Sequence, residues 1–157
     1  MNIELWCIGK NSFEFVSQGM DIFASRLKHY TSFEIKYIEE PKKGVKNNPS
    51  LIKEKEGELV LRKLKGDEEL ILLDEHGKFM DSIEFAGYIE GKMIYGSRKI
   101  VFLIGGAFGF SESIYKKAKG KISFSKMTYS HQLIRLCFVE QLYRAYTIIR
   151  NEKYHNS

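Results

Sequence analysis

Apolar positions along this chain switch repeatedly between a strand-like and a helix-like period. Residues 3–8 (Ile-Glu-Leu-Trp-Cys-Ile) form a dense run of strand length. Phe13, Val16, Met20, Phe23, Leu27 and Tyr30 then recur at three- and four-residue steps, which marks one face of a helix. Residues 33–38 alternate as a half-exposed strand, and residues 40–49, with Pro41, Gly44 and Pro49 among lysines, read as a polar loop. Ser50 is placed to cap a charged helix reaching about residue 65. Residues 69–74 predict a third strand, turned at Glu75-His76-Gly77-Lys78. Asp81 with Glu84 is a capping box for a helix to about residue 95. A fourth strand at 99–104, a short basic helix, a fifth strand at 122–125 and a long terminal helix complete the pattern. Five strands separated by helices predict an α/β fold: one domain over residues 1–157, with a mostly parallel sheet and helices on both faces.

The terminal helix departs from the usual one-sided pattern. At 100° per residue, Leu133, Ile134, Leu136, Cys137, Phe138, Val139, Leu142, Tyr143, Tyr146, Ile148 and Ile149 cover nearly its whole circumference. A helix apolar all round must be buried all round. In an outer layer its second face needs a partner, most simply a second copy in a twofold homodimer.

Composition narrows the class without naming it. Hydrophobic content of 43% and only two prolines argue for a globular chain rather than a disordered one. No apolar run approaches a membrane span, and the first residues lack a signal-peptide pattern, so the expectation is a cytoplasmic protein without a membrane partner. Cys7 and Cys137 stand in no CxxC pair, and the four histidines have no ligand spacing; two buried thiols and no metal are expected. The net charge of +5 is uneven. Residues 111–157 hold nine Lys/Arg against three acids, leaving the rest of the chain with sixteen against seventeen. A basic excess confined to one third is the electrostatic footprint of a nucleic-acid binder, or an ordinary solvated face.

That same third carries the candidate chemistry. The run Ile100-Val101-Phe102-Leu103-Ile104 stops at Gly105-Gly106-Ala107-Phe108-Gly109, and Ile122-Ser123-Phe124-Ser125-Lys126-Met127-Thr128 leads into His131-Gln132-Leu133-Ile134-Arg135. Two strand ends that open into small-residue loops place bare backbone N–H and C=O groups side by side, which suits a nucleoside-type ligand. The glycines are not G-x-G-x-x-G, no P-loop occurs, and Ser123, Ser125 and Thr128 lack His–Asp partners in any triad order.

Taken in order, Gly105-Gly106-x-x-Gly109, residues 123–128, His131-x-x-x-Arg135, Glu140-Gln141-x-Tyr143-Arg144-Ala145 and Tyr154-His155 resemble the SPOUT-class RNA methyltransferases. Cys7-Ile8-Gly9-Lys10, Lys55-Glu56-Gly57 and Leu73-Asp74 with Gly77-Lys78 extend the likeness over the whole chain. Within the class the chain is similar to the small bacterial enzymes that methylate N3 of a pseudouridine in large-subunit ribosomal RNA. The resemblance implies S-adenosylmethionine held in a carboxy-terminal trefoil knot, an exception to the rule that chains do not thread loops. By position it implies a cofactor site of Leu73, Gly105, Phe124, Ser125, Lys126, Met127, Thr128 and Tyr129. It also implies ribosomal RNA or an assembled ribosome as partner, with Lys126, Arg135, Arg144, Tyr154 and His155 holding phosphates or stacking bases. His131 and Glu140 are the candidates for general base. Departures from the family pattern fall at Phe108, Ser130 and His76, where an acidic residue or Asn, a Pro and a Pro are usual. The alternatives are a knotted RNA-binding domain without catalysis and a nucleotide-dependent enzyme on an open sheet, the second disfavoured by the missing fingerprint.

Overall fold

Alternation along the central strands sends side chains into two separate layers. The structure, a computed structural model, describes residues 1–41, 47–96 and 98–155. The elements are β1 (Asn2–Ile8), α1 (Glu14–Leu27), β2 (Ser32–Ile38), α2 (Pro49–Lys63), β3 (Glu69–Phe79), α3 (Ser82–Ile94), β4 (Lys99–Ile104), α4 (Glu112–Lys117), β5 (Gly120–Ser123) and α5 (Leu133–Ile149). The five strands join one sheet in the order β2-β1-β4-β3-β5, and every neighbouring pair is parallel. Ile3, Leu5 and Cys7 of β1, with Ile100, Phe102 and Ile104 of β4, meet α1, α3 and α5 on one face. Trp6, Ile8, Val101 and Leu103 point the other way, into a smaller core with Val60 of α2 and Ile114 of α4. The α/β expectation with helices on both faces therefore holds, and strand order places β4 in the middle, its carboxyl end flanked by β1 and β3.

Local chemistry accounts for most boundaries. Asp81 accepts the Glu84 N–H at 2.8 Å while the Glu84 carboxylate accepts the Asp81 N–H at 2.9 Å, the reciprocal capping box expected from sequence. The α2 cap differs from expectation. Asn48, not Ser50, accepts the Leu51 N–H at 3.2 Å, because Pro49 fits the first helical position and starts the helix two residues earlier. The centre of the expected 40–49 loop, residues 42–46, lies outside the described residues.

β3 also differs from the expected strand and turn. Leu73 and Lys78 both pair with Ile122, so residues 74–77 bulge out of the ladder before Phe79 rejoins it opposite Ser123. Gly77 makes this possible: a Cβ there would lie 2.5–2.8 Å from the Ile122 backbone. The bulge lifts Asp74, Glu75 and His76 out of the sheet.

The apolar circumference of α5 has an explanation within one chain. The helix packs between α1 and α3 on top of the sheet, so three sides are covered. Phe138 and Leu142 are fully buried there rather than on an outer face. Gly19 of α1 sits so close to Leu136 that a Cβ would come within 2.7 Å of its methyl carbon.

Candidate active site

The carboxyl ends of β3, β4 and β5 frame a cleft of about 590 Å³. This is where parallel α/β sheets bind ligands, outside the carboxyl edge of the strands. Its floor is the glycine loop that follows β4, its walls are the 74–76 bulge and the 123–131 segment, and Tyr115 of α4 closes one side. Gly105 is buried, and a Cβ there would press on the Phe110 ring at 3.0 Å. Gly109 adopts φ +78°, a left-handed conformation that lets the loop turn back, with its N–H donating to the Gly106 carbonyl at 3.3 Å.

The structure brings most of the expected cofactor residues together. Leu73, Gly105, Phe124, Ser125, Met127, Thr128 and Tyr129 all line the cleft, as does His131. Phe124 is wedged between the cleft and the core, stacked on Phe138 at 5.9 Å and edge-on to Phe85 at 4.9 Å. Ser125 accepts the Met127 N–H at 2.9 Å, and Ser123 donates to the Ser125 carbonyl at 3.0 Å, which tightens the segment into a turn. Lys126 is exposed and absent from the lining; its ammonium lies 5.9 Å from the Phe79 ring centre. Met127, Phe108 and Tyr129 are exposed apolar groups at the mouth, well placed to stack on an incoming base.

Two carboxylates missed by the sequence reading stand in the wall. Asp74 accepts the Tyr115 hydroxyl and the His76 N–H, the latter at 2.8 Å, and Glu75 accepts the Thr128 hydroxyl at 3.3 Å. Burial first, and then the Asp74 bond, push the Tyr115 hydroxyl up to about 12. The cleft is thus acidic at the 74–75 wall, while Lys53 of α2 also borders it.

At the other wall, the start of α5 is latched to the end of β1. Gln132 accepts the Ser12 N–H at 2.9 Å, and Ser130 accepts the Leu133 N–H at 3.1 Å, capping the helix. Arg135 requires a correction. It was expected at an RNA phosphate, yet its side chain is fully buried. The guanidinium donates to the carbonyls of His131, Gly9 and Ile8 and to Asn11 Oδ1, closing the gap between α5 and β1. His131 lies beside it. Burial and the Arg135 charge lower its pKa against an opposing pull from Glu40, so the imidazole is neutral at physiological pH.

Glu140, the other candidate base, is not in the cleft. Its carboxylate accepts from Arg144 at 2.6 Å, Gln141 at 2.8 Å and Tyr154 at 3.0 Å. Arg144 also lies over the Tyr154 ring at 4.7 Å and meets His155 Nδ1 at 3.5 Å. Arg144, Tyr154 and His155 therefore form one cluster of their own, and the tail up to His155 is docked on α5 rather than frayed.

Behind the glycine loop, Glu56 of α2 is buried, with burial and the Glu40 charge pushing its carboxyl up to about 7 against the opposing pull of the nearby Gly106 N–H. Its sequence signal was its place on the apolar stripe of α2, one turn from both Ile52 and Val60. No helix among the described residues is long and apolar enough to cross a membrane, and they contain no cluster of three potential metal ligands.

A parallel α/β domain with a cleft of about 590 Å³ at its strand ends has room for a nucleoside-sized ligand. The comparisons sharpen the class. The family model described as "Predicted SPOUT methyltransferase" matches residues 1–155, and the chain belongs to the SPOUT methyltransferases. It is 50% identical over 157 residues to a Flavobacterium johnsoniae protein named ribosomal RNA large subunit methyltransferase H, covering 99% of each chain. A Cytophaga hutchinsonii protein of the same name is 46% identical over 156 residues, with 99% of this chain and 100% of the relative covered. Among solved structures, a probable methylase family protein from Haemophilus influenzae superposes with a TM-score of 0.55 at 13% identity, covering 99% of this chain and 71% of the other, a likeness of fold alone.

Proposed function

We propose that this methyltransferase moves the methyl group of S-adenosylmethionine to N3 of a pseudouridine in large-subunit ribosomal RNA, free or in the assembled ribosome. The observation that carries the reading is the gathering of Leu73, Gly105, Phe124, Ser125, Met127, Thr128 and Tyr129 around one cleft, in a chain 50% identical to a large-subunit RNA methyltransferase. Those residues fit the cofactor. The cleft volume lies within the usual range of small-molecule sites, about 300–1,000 Å³, the glycines let the main chain approach closely, and an acidic wall accepts a sulfonium cation. S-adenosylmethionine, when bound, supplies an electrophilic methyl carbon.

The chain's own residues do the rest. Gly105 and the 124–129 turn bind and orient by backbone contact, and Leu73 with Ile122 gives an apolar wall for a purine. Phe108, Met127 and Tyr129 stack the target base at the mouth. The target nitrogen must lose a proton as its new bond to carbon forms, and His131, neutral and on the cleft wall, accepts it. Pre-positioning supplies much of the rate, because methyl transfer demands an in-line approach.

RNA contacts fall to Lys126 at the rim and to the Arg144–Tyr154–His155 cluster. A homodimer brings that cluster to a partner's cleft. Exposed Phe13, Phe15 and Leu133, gathered at one end of the helix layer by the Ser12–Gln132 bond, support such an interface. The reading includes a trefoil threading of the last third and a cytoplasmic location beside its substrate. The test is incubation with labelled S-adenosylmethionine and ribosomes lacking the modification, followed by mass mapping. Label on one pseudouridine is expected. Retained cofactor binding with no label in RNA refutes the substrate, and absence of cofactor binding favours an RNA-binding domain without catalysis.

A further inference from the structure

The glycine loop has a second neighbour on the side away from the cleft. Glu56 does not line the cleft; it borders a separate space of about 10 Å³ shared with Gly105, Gly109, Phe110 and Ser111. A space of that size holds one water at most. The Glu56 carboxylate lies against the Gly106 backbone, whose N–H favours its ionised form. It sits so close that a Cβ on Gly106 would lie 2.6 Å from Oε1 and 2.9 Å from Oε2. The next residue of α2, Gly57, packs against the buried Ser111 hydroxyl with no room for a side chain. One turn of α2 thus grips the loop at both ends.

Glu56 is an expensive choice for that grip. No ion pair reaches it among the described residues, and the charged groups facing it are Glu40, which opposes its ionisation, and Lys53 one turn back, which borders the same space. A glutamine would offer an acceptor to the same N–H without the cost of burying a charge. What the carboxylate adds is a charge-assisted bond, roughly twice as strong as a neutral one. Retaining a buried, perturbed carboxylate directly behind a ligand-binding loop is the pattern of a functional group rather than a packing one.

We propose that Glu56 is a positioning residue for methyl transfer: its carboxylate, lying against the Gly106 N–H, holds the glycine loop in the backbone conformation on which S-adenosylmethionine rests. The proposal rests on the cofactor reading given above. It makes cofactor affinity depend on the ionised form. As pH falls through about 7 the carboxyl gains a proton, its hold on Gly106 weakens, and the loop loosens.

Two measurements on the full-length protein test this. First, the Gly106 amide resonance of wild type, free of ligand, is followed by ¹H–¹⁵N NMR from pH 5.5 to 8.5; it should titrate near 7 and be flat in Glu56→Gln. Second, S-adenosylmethionine affinity is measured by calorimetry for wild type and Glu56→Gln at pH 6 and pH 8. The ligand's own ionisation cancels in the ratio of the two proteins. That ratio should rise with pH, reaching about tenfold in favour of wild type at pH 8, the difference between a charged and a neutral bond. Glu56→Asp, one methylene shorter, should also bind weakly. A static Gly106 resonance in wild type overturns the proposal, even where a variant fails to fold. So does a ratio that does not change with pH. Wild type that shows the Gly106 titration but binds no S-adenosylmethionine would instead refute the cofactor reading and leave the loop contact standing.

Discussion

Replacing Arg135 with methionine keeps an unbranched stem to about the position of Nε and removes the guanidinium, with its charge and all its donors. Four bonds disappear, to the carbonyls of Ile8, Gly9 and His131 and to Asn11 Oδ1, around a side chain that is itself fully buried. An orphaned buried acceptor costs about 1–3 kcal/mol. Asn11 Oδ1 escapes most of this, since its position is partly exposed and water can take the place of the guanidinium. Three carbonyls then cost roughly 3–9 kcal/mol, and relief of guanidinium desolvation returns several. The net expectation is a loss of about 4 kcal/mol, equivalent to about 8–16 °C in Tm for a chain of this size. Urea unfolding followed by tryptophan fluorescence reads it directly through Trp6, and the slope should be unchanged. A loss below about 1 kcal/mol would show that the guanidinium is not the fastener described. A second readout separates this role from the phosphate contact first expected. Measured below the transition, the salt dependence of RNA binding should be the same for Arg135→Met as for wild type, whereas losing a phosphate contact would reduce the slope by about one.

Other outcomes follow from single contacts. Glu56 titrates near its ordinary value when unfolded and at about 7 when folded, so its contribution to stability is fully present below the lower value and lost as pH rises through 7. Glu56→Gln, which cannot titrate, should gain on wild type over that window and be about 3 kcal/mol more stable by pH 8; equal stability at pH 5 and pH 8 would contradict the raised pKa. Gly77→Ala forces a methyl into the Ile122 backbone and should part β3 from β5, costing about 2–4 kcal/mol and abolishing cofactor binding, both read by thermal shift with and without ligand; a folded variant with normal affinity would mean the bulge is not needed for the cleft. Deleting residues from Lys153 onward removes Tyr154 from Tyr143, Arg144 and Glu140, so it should cost about 1–2 kcal/mol as well as RNA methylation; unchanged stability with full activity would make the tail dispensable.

The layers, the strand count and the parallel sheet were legible because they are written in local periods, and the α3 capping box because both partners lie within one turn. What escaped were features decided by a contact distant in sequence. The bulge in β3 depends on Gly77 meeting Ile122, and no pattern around residue 77 announces it. The apolar circumference of α5 is met in part within the chain, and nothing local says that α1 and α3 flank it on both sides.

Arg135 and Glu56 are more instructive, because their burial was readable and only their partners were not. Arg135 precedes Phe138, Val139, Leu142 and Tyr146 by three, four, seven and eleven residues, squarely on the stripe that faces the sheet. Glu56 stands four residues after Ile52 and four before Val60 on the buried stripe of α2. A charge on the inner stripe of a helix must find a polar group in the interior, and in a parallel sheet the interior polar groups left free are backbone groups at strand ends. Both side chains go there, Arg135 to the carbonyls that end β1 and Glu56 to the amide just beyond β4. Strand ends are also where such sheets bind ligands. Basic and acidic residues that break an inner helical stripe in a parallel α/β chain are therefore pointers to the rim of the site, and here the two lie at adjacent strand ends beside the cleft.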